Sequence, residues 1–260
     1  MHLDRPASPQ AAQALADRFG GAACFIAGGT LLQQTWPEPR LAPPGIRFID
    51  VQSWPQTRSV TLEDGCLRIG AGVRLEAART DVLVRTRAPL LAQALDQLGA
   101  AGVRRLGTLG GNIGWGEGDC CPVLLAMDAL VELADGRRET LEAVLRRPVR
   151  PLMLAFRLPC TESSAPMVFE KVGHRAAFSP ARLRMAIRWH RSDRGCAVDR
   201  IAAAAPGLPV HRLHAAERLM AGPRPTLADI RAACLQSLPP DLAAIASRLI
   251  AGHCGLPLTL

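Results

Sequence analysis

Apolar and polar positions along this chain switch between helical and strand periods, and the switches mark out its elements. Ala11, Ala12, Ala14, Leu15, Ala16 and Phe19 follow a helical repeat that Ser8-Pro9 opens and Gly20-Gly21 closes. An apolar run of strand length over 22–27 then ends in Gly28-Gly29-Thr30. A short helix begins within 31–35, and four prolines within 36–45 make that segment a loop. Residues 46–51 alternate as a strand, and 58–62 with 66–71 predict a hairpin around Glu63-Asp64-Gly65. Helices are predicted from Gly72 through Asp81 and over 89–98, the second with Leu90, Leu91, Ala94, Leu95 and Leu98 on one face.

Beyond Pro122, an apolar segment at 123–128 leads into a strand at 129–133, a turn at Asp135-Gly136 and a strand at 152–158. Residues 161–166 turn polar and predict a boundary. Strands follow at 167–172, 182–190 and 199–205, the last ended by Pro206-Gly207. The remainder reads as helices over 211–220, 226–237 and 241–252, with Thr226 and Asp241 placed to cap. No internal repeat is evident.

Between these elements lies the most unusual stretch, Arg104-Arg105-Leu106-Gly107-Thr108-Leu109-Gly110-Gly111-Asn112-Ile113-Gly114-Trp115-Gly116. Five glycines fall within 107–116, and the acidic Asp119 lies just beyond. Glycine permits positive φ and close backbone approach, so the run is suited to aiming main-chain N–H groups at an anion. A plain glycine-rich surface turn is the alternative.

Composition narrows the classes. The 260 residues suffice for two or three subdomains, and no window approaches the roughly 18 to 20 apolar residues of a membrane span. The N-terminus carries no basic patch followed by an apolar run, so a cytoplasmic location is expected. Eight cysteines, at 24, 66, 120, 121, 160, 196, 234 and 254, show no CxxC or Cys-His spacing and read as free thiols in a reducing compartment. His211 and His214 have no evident further ligand, so no metal site is expected. The net charge of +8 comes from arginines spread through the chain, with only 4% aromatics and no nucleic-acid motif, so no nucleic-acid partner is expected. Lys171 is the only lysine, which suggests chemistry that a planar guanidinium cannot supply.

Ala27-Gly28-Gly29-Thr30 precedes Arg104-x-x-Gly107-Thr108-x-Gly110-Gly111-Asn112 by about 80 residues, and Asp119-x-x-Pro122 follows. With Arg68-Ile69-Gly70-Ala71-Gly72-Val73 and the run from Phe169-Glu170-Lys171-Val172-Gly173-His174-Arg175 to Phe178, this order resembles the FAD-binding medium subunit of the molybdenum hydroxylases. That is the xanthine dehydrogenase and carbon monoxide dehydrogenase family, and the resemblance covers essentially the whole chain. It implies an α+β fold of the vanillyl-alcohol-oxidase type, with FAD-binding subdomains at 1–57 and 58–165. A C-terminal domain at 166–260, like that of the carbon monoxide dehydrogenase flavoprotein, would hold a three-stranded antiparallel sheet and a helical bundle.

The resemblance also implies that FAD is contacted by Ala27, Gly28, Gly29, Thr30, Leu31, Leu32, Arg104, Leu106, Thr108, Gly110, Gly111, Asn112, Trp115 and Asp119. Lys171 would lie near the flavin as the catalytic cation. The two Gly-rich turns would surround the pyrophosphate with charge-assisted amide hydrogen bonds, and Asp119 would accept from a hydroxyl. The implied function is electron transfer: FAD takes electrons from a [2Fe–2S] small subunit, beside a molybdopterin large subunit carrying the molybdenum cofactor, and passes them to NAD⁺ or another acceptor.

Departures from the family pattern are Leu31 for the usual Asp, Gly114-Trp115-Gly116-Glu117 after Gly-Gly-Asn, Arg105 for Asn, and Phe169 for Tyr. They motivate a second reading, an assembly subunit that has lost flavin. A stand-alone flavin oxidase is the third, although such enzymes need a larger substrate domain.

Overall fold

Local capping sets where the chain's first helix begins and ends. In the computed structural model, which describes residues 2–36, 41–160, 165–175, 180–192 and 195–258, β1 (His2–Asp4) leads to α1 (Pro9–Phe19). Ser8 Oγ accepts the Ala11 N–H at 3.2 Å, Pro9 occupies the first helical position, and Gly20 at φ 49° stops the helix. β2 (Ala23–Ile26) and β3 (Arg47–Asp50) complete a parallel sheet in the order β1-β3-β2. α1 buries Ala12 beside Ile49, Trp54, Ala134 and Leu152. The 36–45 segment has no helix and one isolated bridge residue among its described positions, and 37–40 lie outside the described residues.

The predicted hairpin is β4 (Val60–Glu63) and β5 (Cys66–Gly70). Its two-residue turn has Asp64 at φ 50° and Gly65 at φ 69°, the mirror-type turn that suits twisted strands. α2 (Leu75–Thr80) ends at Asp81, which caps a helix absent from the sequence expectation, α3 (Val82–Arg87). α4 (Pro89–Asp96), α5 (Ala101–Leu106), α6 (Leu109–Trp115) and α7 (Cys120–Ala126) follow. β6 (Leu130–Leu133), β7 (Arg138–Thr140), α8 (Leu141–Leu145) and β8 (Met153–Pro159) close this part of the chain.

The antiparallel sheet runs β4-β5-β8-β6-β7. Leu67, Ile69, Val131, Phe156 and Leu158 are buried within it. In register, Arg68 lies opposite Arg157, a like-charge pair that needs acids around it. Glu132 supplies one partner to each, at 2.9 Å and 3.3 Å, and Glu63 and Asp64 both reach Arg157 at 3.2 Å.

β9 (Met167–Gly173), β10 (Ala181–Ser192), β11 (Gly195–Ala205) and β12 (Leu208–Arg212) form a four-stranded antiparallel sheet in the order β12-β11-β10-β9. The resemblance implied three strands. Gly207 at φ 71° turns the chain back, so residues expected to open a helix pair with β11 instead. That helix starts later, as α9 (His214–Met220), and α10 (Leu227–Cys234) and α11 (Pro240–His253) follow.

Leu183, Met185, Ile187, Ile201 and Ala203 pack with Ala216, Ile230, Ala243, Ala246 and Ile250 in one core. The intervening alanines, Ala186, Ala202 and Ala204, are fully buried outside that core, and α7 packs on β10, β11 and β12. Small side chains there let a helix come close to a sheet. Thr226 caps α10 through a reciprocal box with Asp229, whereas Pro239, not Asp241, caps α11. Asp241 instead pairs with Arg182 at 2.9 Å.

By contacts, the chain divides into one unit of Met1–Trp115 with Asp128–Cys160 and another of Gly116–Met127 with Thr161–Leu260. The polar boundary expected at 161–166 therefore coincides with a division after Cys160. Residues 116–127 leave the 58–165 block because α7 is packed against the later sheet. Among the described residues no helix is long and apolar enough to cross a membrane.

Candidate functional site

At the end of β2 the chain turns through Ala27 and Gly28 into Gly29, whose φ of 67° explains glycine there. Gly28 is glycine for a different reason. A Cβ on it would run into the Leu106 carbonyl and lie 2.8 Å from Gly107 Cα. A Cβ on Gly107, in turn, would lie 2.9 Å from Leu75 Cδ1 and 3.4 Å from Thr30 Oγ1. The two Gly-rich segments thus meet backbone to backbone.

Gly28, Gly29, Thr30 and Leu31 are half-buried, and among the described residues no acceptor takes their N–H groups. Half-buried amides without partners are open to an anion. Ala27 and Leu32 are half-buried beside them, and Gln34 Nε2 donates to the Thr30 carbonyl at 3.0 Å.

The second segment is not the positive-φ nest that its glycines suggest. Residues 101–106 and 109–115 are the helices α5 and α6, and Gly116 alone in the 107–116 run has positive φ, 85°. Its first amides are already used: Leu109 N–H donates to Val73 O at 2.9 Å, Gly110 N–H to Ala71 O at 2.8 Å and Gly111 N–H to Thr108 Oγ1 at 3.1 Å. Gly110 is small because a Cβ would lie 2.7 Å from that of Ala71. Close packing, not left-handed backbone, accounts for these glycines. Thr108 and Asn112 are buried, with Thr108 capping α6. The carbonyl of Gly114 accepts from Arg150 Nη1 at 2.5 Å, and Trp115 is 39% exposed.

Arg104 is engaged within its own unit. Its guanidinium turns back to Glu76 at 2.6 Å and to the carbonyls of Leu98 and Gly99 at 2.9 and 2.8 Å, tying α5 to α2. Leu106 has an exposed side chain and contributes through its carbonyl, which accepts from Arg74 Nη1. Arg74 also donates to Gln52 Oε1 at 2.7 Å, so it braces the Leu106 carbonyl against which Gly28 packs. Sequence reasoning missed Arg74. Its signal was faint: a long cation at a helix N-cap, where a short polar residue is the norm.

Hydrogen bonds from Arg79 and Arg104 hold the Glu76 carboxyl down from an ordinary value near 4.5 to about 2. A depressed carboxylate stabilises the fold fully above its unfolded value and loses that effect as pH falls through its folded one. Glu76→Gln is therefore expected to lower Tm at pH 7, and the gap to the native protein should close as pH drops from about 4.5 toward 2. Thermal melts across that range check this; a gap that is constant with pH removes the ion pairs as its cause.

In the second unit, Asp119 is 6% exposed and lies just before α7. Lys171 Nζ donates to its Oδ2 at 2.6 Å and Arg184 Nε to its Oδ1. Lys171 on β9 and Arg184 on β10 are register partners. Arg184 escaped the sequence reading, although a cation between the apolar Leu183 and Met185 was the available clue. The Gly116-Glu117 tail, where the family pattern fails, is stitched to the β11–β12 turn. Gly116 O accepts from Val210 N–H at 2.9 Å, and Glu117 Oε1 from Gly207 N–H at 3.2 Å. Burial and the Asp119 charge push the neighbouring Cys120 thiol well up, which suits an inert core thiol. Residues 176–178 of the family-like run lie outside the described residues.

Residues 1–150 match the sequence family described as the FAD binding domain in molybdopterin dehydrogenase. The chain is 34% identical over 137 residues, 51% of its length, to the carbon monoxide dehydrogenase medium chain of Hydrogenophaga pseudoflava. It is 28% identical over 119 residues, 44% of its length, to the nicotinate dehydrogenase FAD-subunit of Eubacterium barkeri. It spans 47% and 38% of the lengths of these two relatives. Among solved structures, it is similar to a chain of the H. pseudoflava carbon monoxide dehydrogenase lacking the Mo-pyranopterin moiety of its molybdenum cofactor. That likeness has a TM-score of 0.77 and 25% identity, covering 98% of this chain and 94% of the other.

Proposed function

Since the chain belongs to the family of FAD-binding domains of molybdopterin dehydrogenases, we propose that it is the FAD-binding electron-transfer subunit of a heteromeric molybdenum hydroxylase. Its partners in this reading are a [2Fe–2S] small subunit and a molybdopterin large subunit. The names of the two curated relatives, a medium chain and an FAD-subunit of dehydrogenases, support a subunit role in oxidation–reduction. Residues 1–57 and 58–165, less the 116–127 segment that belongs to the second unit, are then the FAD-binding subdomains, and 166–260 the C-terminal domain.

The observation that carries the reading is the group of open amides at Gly28, Gly29, Thr30 and Leu31. Several converging N–H groups give short charge-assisted hydrogen bonds to a doubly charged pyrophosphate. The missing Cβ of Gly28 keeps that turn seated on the Leu106–Gly107 backbone, and Arg74 fixes the carbonyl on which it rests. Thr108 and the Gly110–Gly111 amides hold the start of α6 in place, so we assign them to supporting the cradle. Asp119 and Lys171 are retained as proposed FAD contacts, Lys171 as the cation that favours the reduced, more negative cofactor. Bound FAD supplies the redox chemistry, holding two electrons for release to NAD⁺ or another acceptor.

The test is direct: purify the chain, remove any bound flavin, add FAD and record the visible spectrum and quenching of free-flavin fluorescence. Stoichiometric uptake is expected. A colourless protein that leaves added FAD free overturns the proposal in favour of an assembly subunit.

A further inference from the structure

Arg68, Arg79, Arg104 and Arg157 each engage a carboxylate, whereas Arg74 holds only neutral acceptors. Its Nη1 donates to the Leu106 carbonyl and its Nη2 to Gln52 Oε1 at 2.7 Å, and among the described residues no carboxylate pairs with it. The acids nearest in sequence to Arg74 and Gln52 are engaged elsewhere. Glu76 is taken by Arg79 and Arg104, and Asp50 by Arg5 and the Gln52 N–H. A cation at the N-cap of α2 also opposes that helix's dipole, so helix stability does not account for it. The backbone around it is fixed: Leu75 N–H donates to Gly107 O at 3.0 Å and Leu109 N–H to Val73 O at 2.9 Å. The carbonyl that Arg74 holds is the one that a Cβ on Gly28 would enter. An uncancelled charge and the open amides of Gly28 to Leu31 therefore meet at a single carbonyl group.

We propose that Arg74 is a specificity-determining residue for the anionic part of the ligand at the 28–31 turn. Beyond bracing the Leu106 carbonyl, its full charge attracts a diphosphate through space, where the amides offer only partial charges. The inference rests on the reading that this turn takes the FAD pyrophosphate, and every residue it uses lies in the first unit.

The experiment titrates the native chain, Arg74→Gln, Arg74→Lys and Gln52→Glu with FAD by fluorescence quenching, at ionic strengths of about 0.01 M and about 1 M. Arg74→Gln keeps a donor for Leu106 but no charge. Its Kd should rise about tenfold at the lower ionic strength, and the gap to the native chain should narrow at the higher, where salt screens the charge. Arg74→Lys should stay near the native affinity. Gln52→Glu leaves Arg74 and its hold on Leu106 in place but hands it a carboxylate, so it should weaken FAD binding as Arg74→Gln does. A brace alone would survive that change. Native affinity in Gln52→Glu, or an Arg74→Gln gap that does not vary with salt, overturns the inference and leaves the proposed function intact. A native chain that takes up no FAD overturns both. Should Arg74→Gln not fold, Gln52→Glu carries the test.

Discussion

Gly28→Val is expected to weaken FAD binding by about a hundredfold or more. The new Cβ would enter the Leu106 carbonyl and stand 2.8 Å from Gly107 Cα, both of them backbone. Neither atom can swing away as a flexible side-chain end could, so the Gly28 turn must lift off α5 or α5 must move. Overpacking of this kind costs about 1–3 kcal/mol of stability. The larger effect falls on binding, because the amides of Gly29, Thr30 and Leu31 move with the turn. Displacing several charge-assisted hydrogen bonds weakens FAD binding by about a hundredfold or more, equivalent to about 3 kcal/mol. Fluorescence titration with FAD measures it, and circular dichroism shows whether the fold survives. A folded Gly28→Val protein with native affinity would show that these amides do not hold the cofactor. Gly29→Ala is the companion variant: its φ of 67° strains alanine, but among the described residues only an Ile26 methyl lies within 4 Å of the added Cβ. Its loss should be smaller.

Those two glycines show what the sequence could and could not disclose. Glycine density at 27–30 and 107–116 was visible, and so was the order of the motifs, which led to the family. The physical reason for each glycine was not. Positive φ, backbone approach and helix packing all select the same residue, and only coordinates separate Gly29 from Gly28 and Gly110. Hence the 107–112 run was expected as an open nest, whereas it begins α6 with its amides already engaged by Val73, Ala71 and Thr108.

Elements with a clean period or a capping signal were legible: α1 from Ser8-Pro9, the β4–β5 hairpin, and α10 from its Thr226 cap. The short ones, β12 and α3, were hidden because five or six residues carry too little periodicity to outweigh their neighbours. Partners of charged residues were the least legible. Arg104, which the resemblance implies as an FAD contact, ties α5 to α2 through Glu76, whereas Arg74 and Arg184 looked unremarkable and hold the Leu106 carbonyl and the Asp119 carboxylate. Long side chains choose partners across tens of residues, and no local pattern records that choice.

Glu217→Ala is expected to destabilise the second unit by about 3–5 kcal/mol, the usual cost of breaking a buried ion pair by removing one member. Glu217 is 7% exposed on α9, and its two oxygens join three elements. Oε1 accepts the Ile201 N–H of β11 at 2.8 Å and Arg212 Nε at 2.9 Å, while Oε2 accepts Arg212 Nη2 from β12 at 2.6 Å. Alanine leaves the buried Ile201 amide without its acceptor and takes from the mostly buried Arg212 guanidinium the carboxylate it pairs with. The amide loses solvation on folding and regains no bond. Glu217→Gln retains an acceptor for Ile201 but not the charge, so its loss should be smaller. Removing the guanidinium as well, in Glu217→Ala with Arg212→Met, should recover part of the deficit, since an apolar pair leaves no uncompensated charge. Denaturant unfolding of the four proteins measures the series. If the double variant is no more stable than Glu217→Ala, the lost Arg212–Glu217 ion pair is not the source of the cost, and the lost Ile201 hydrogen bond must carry it.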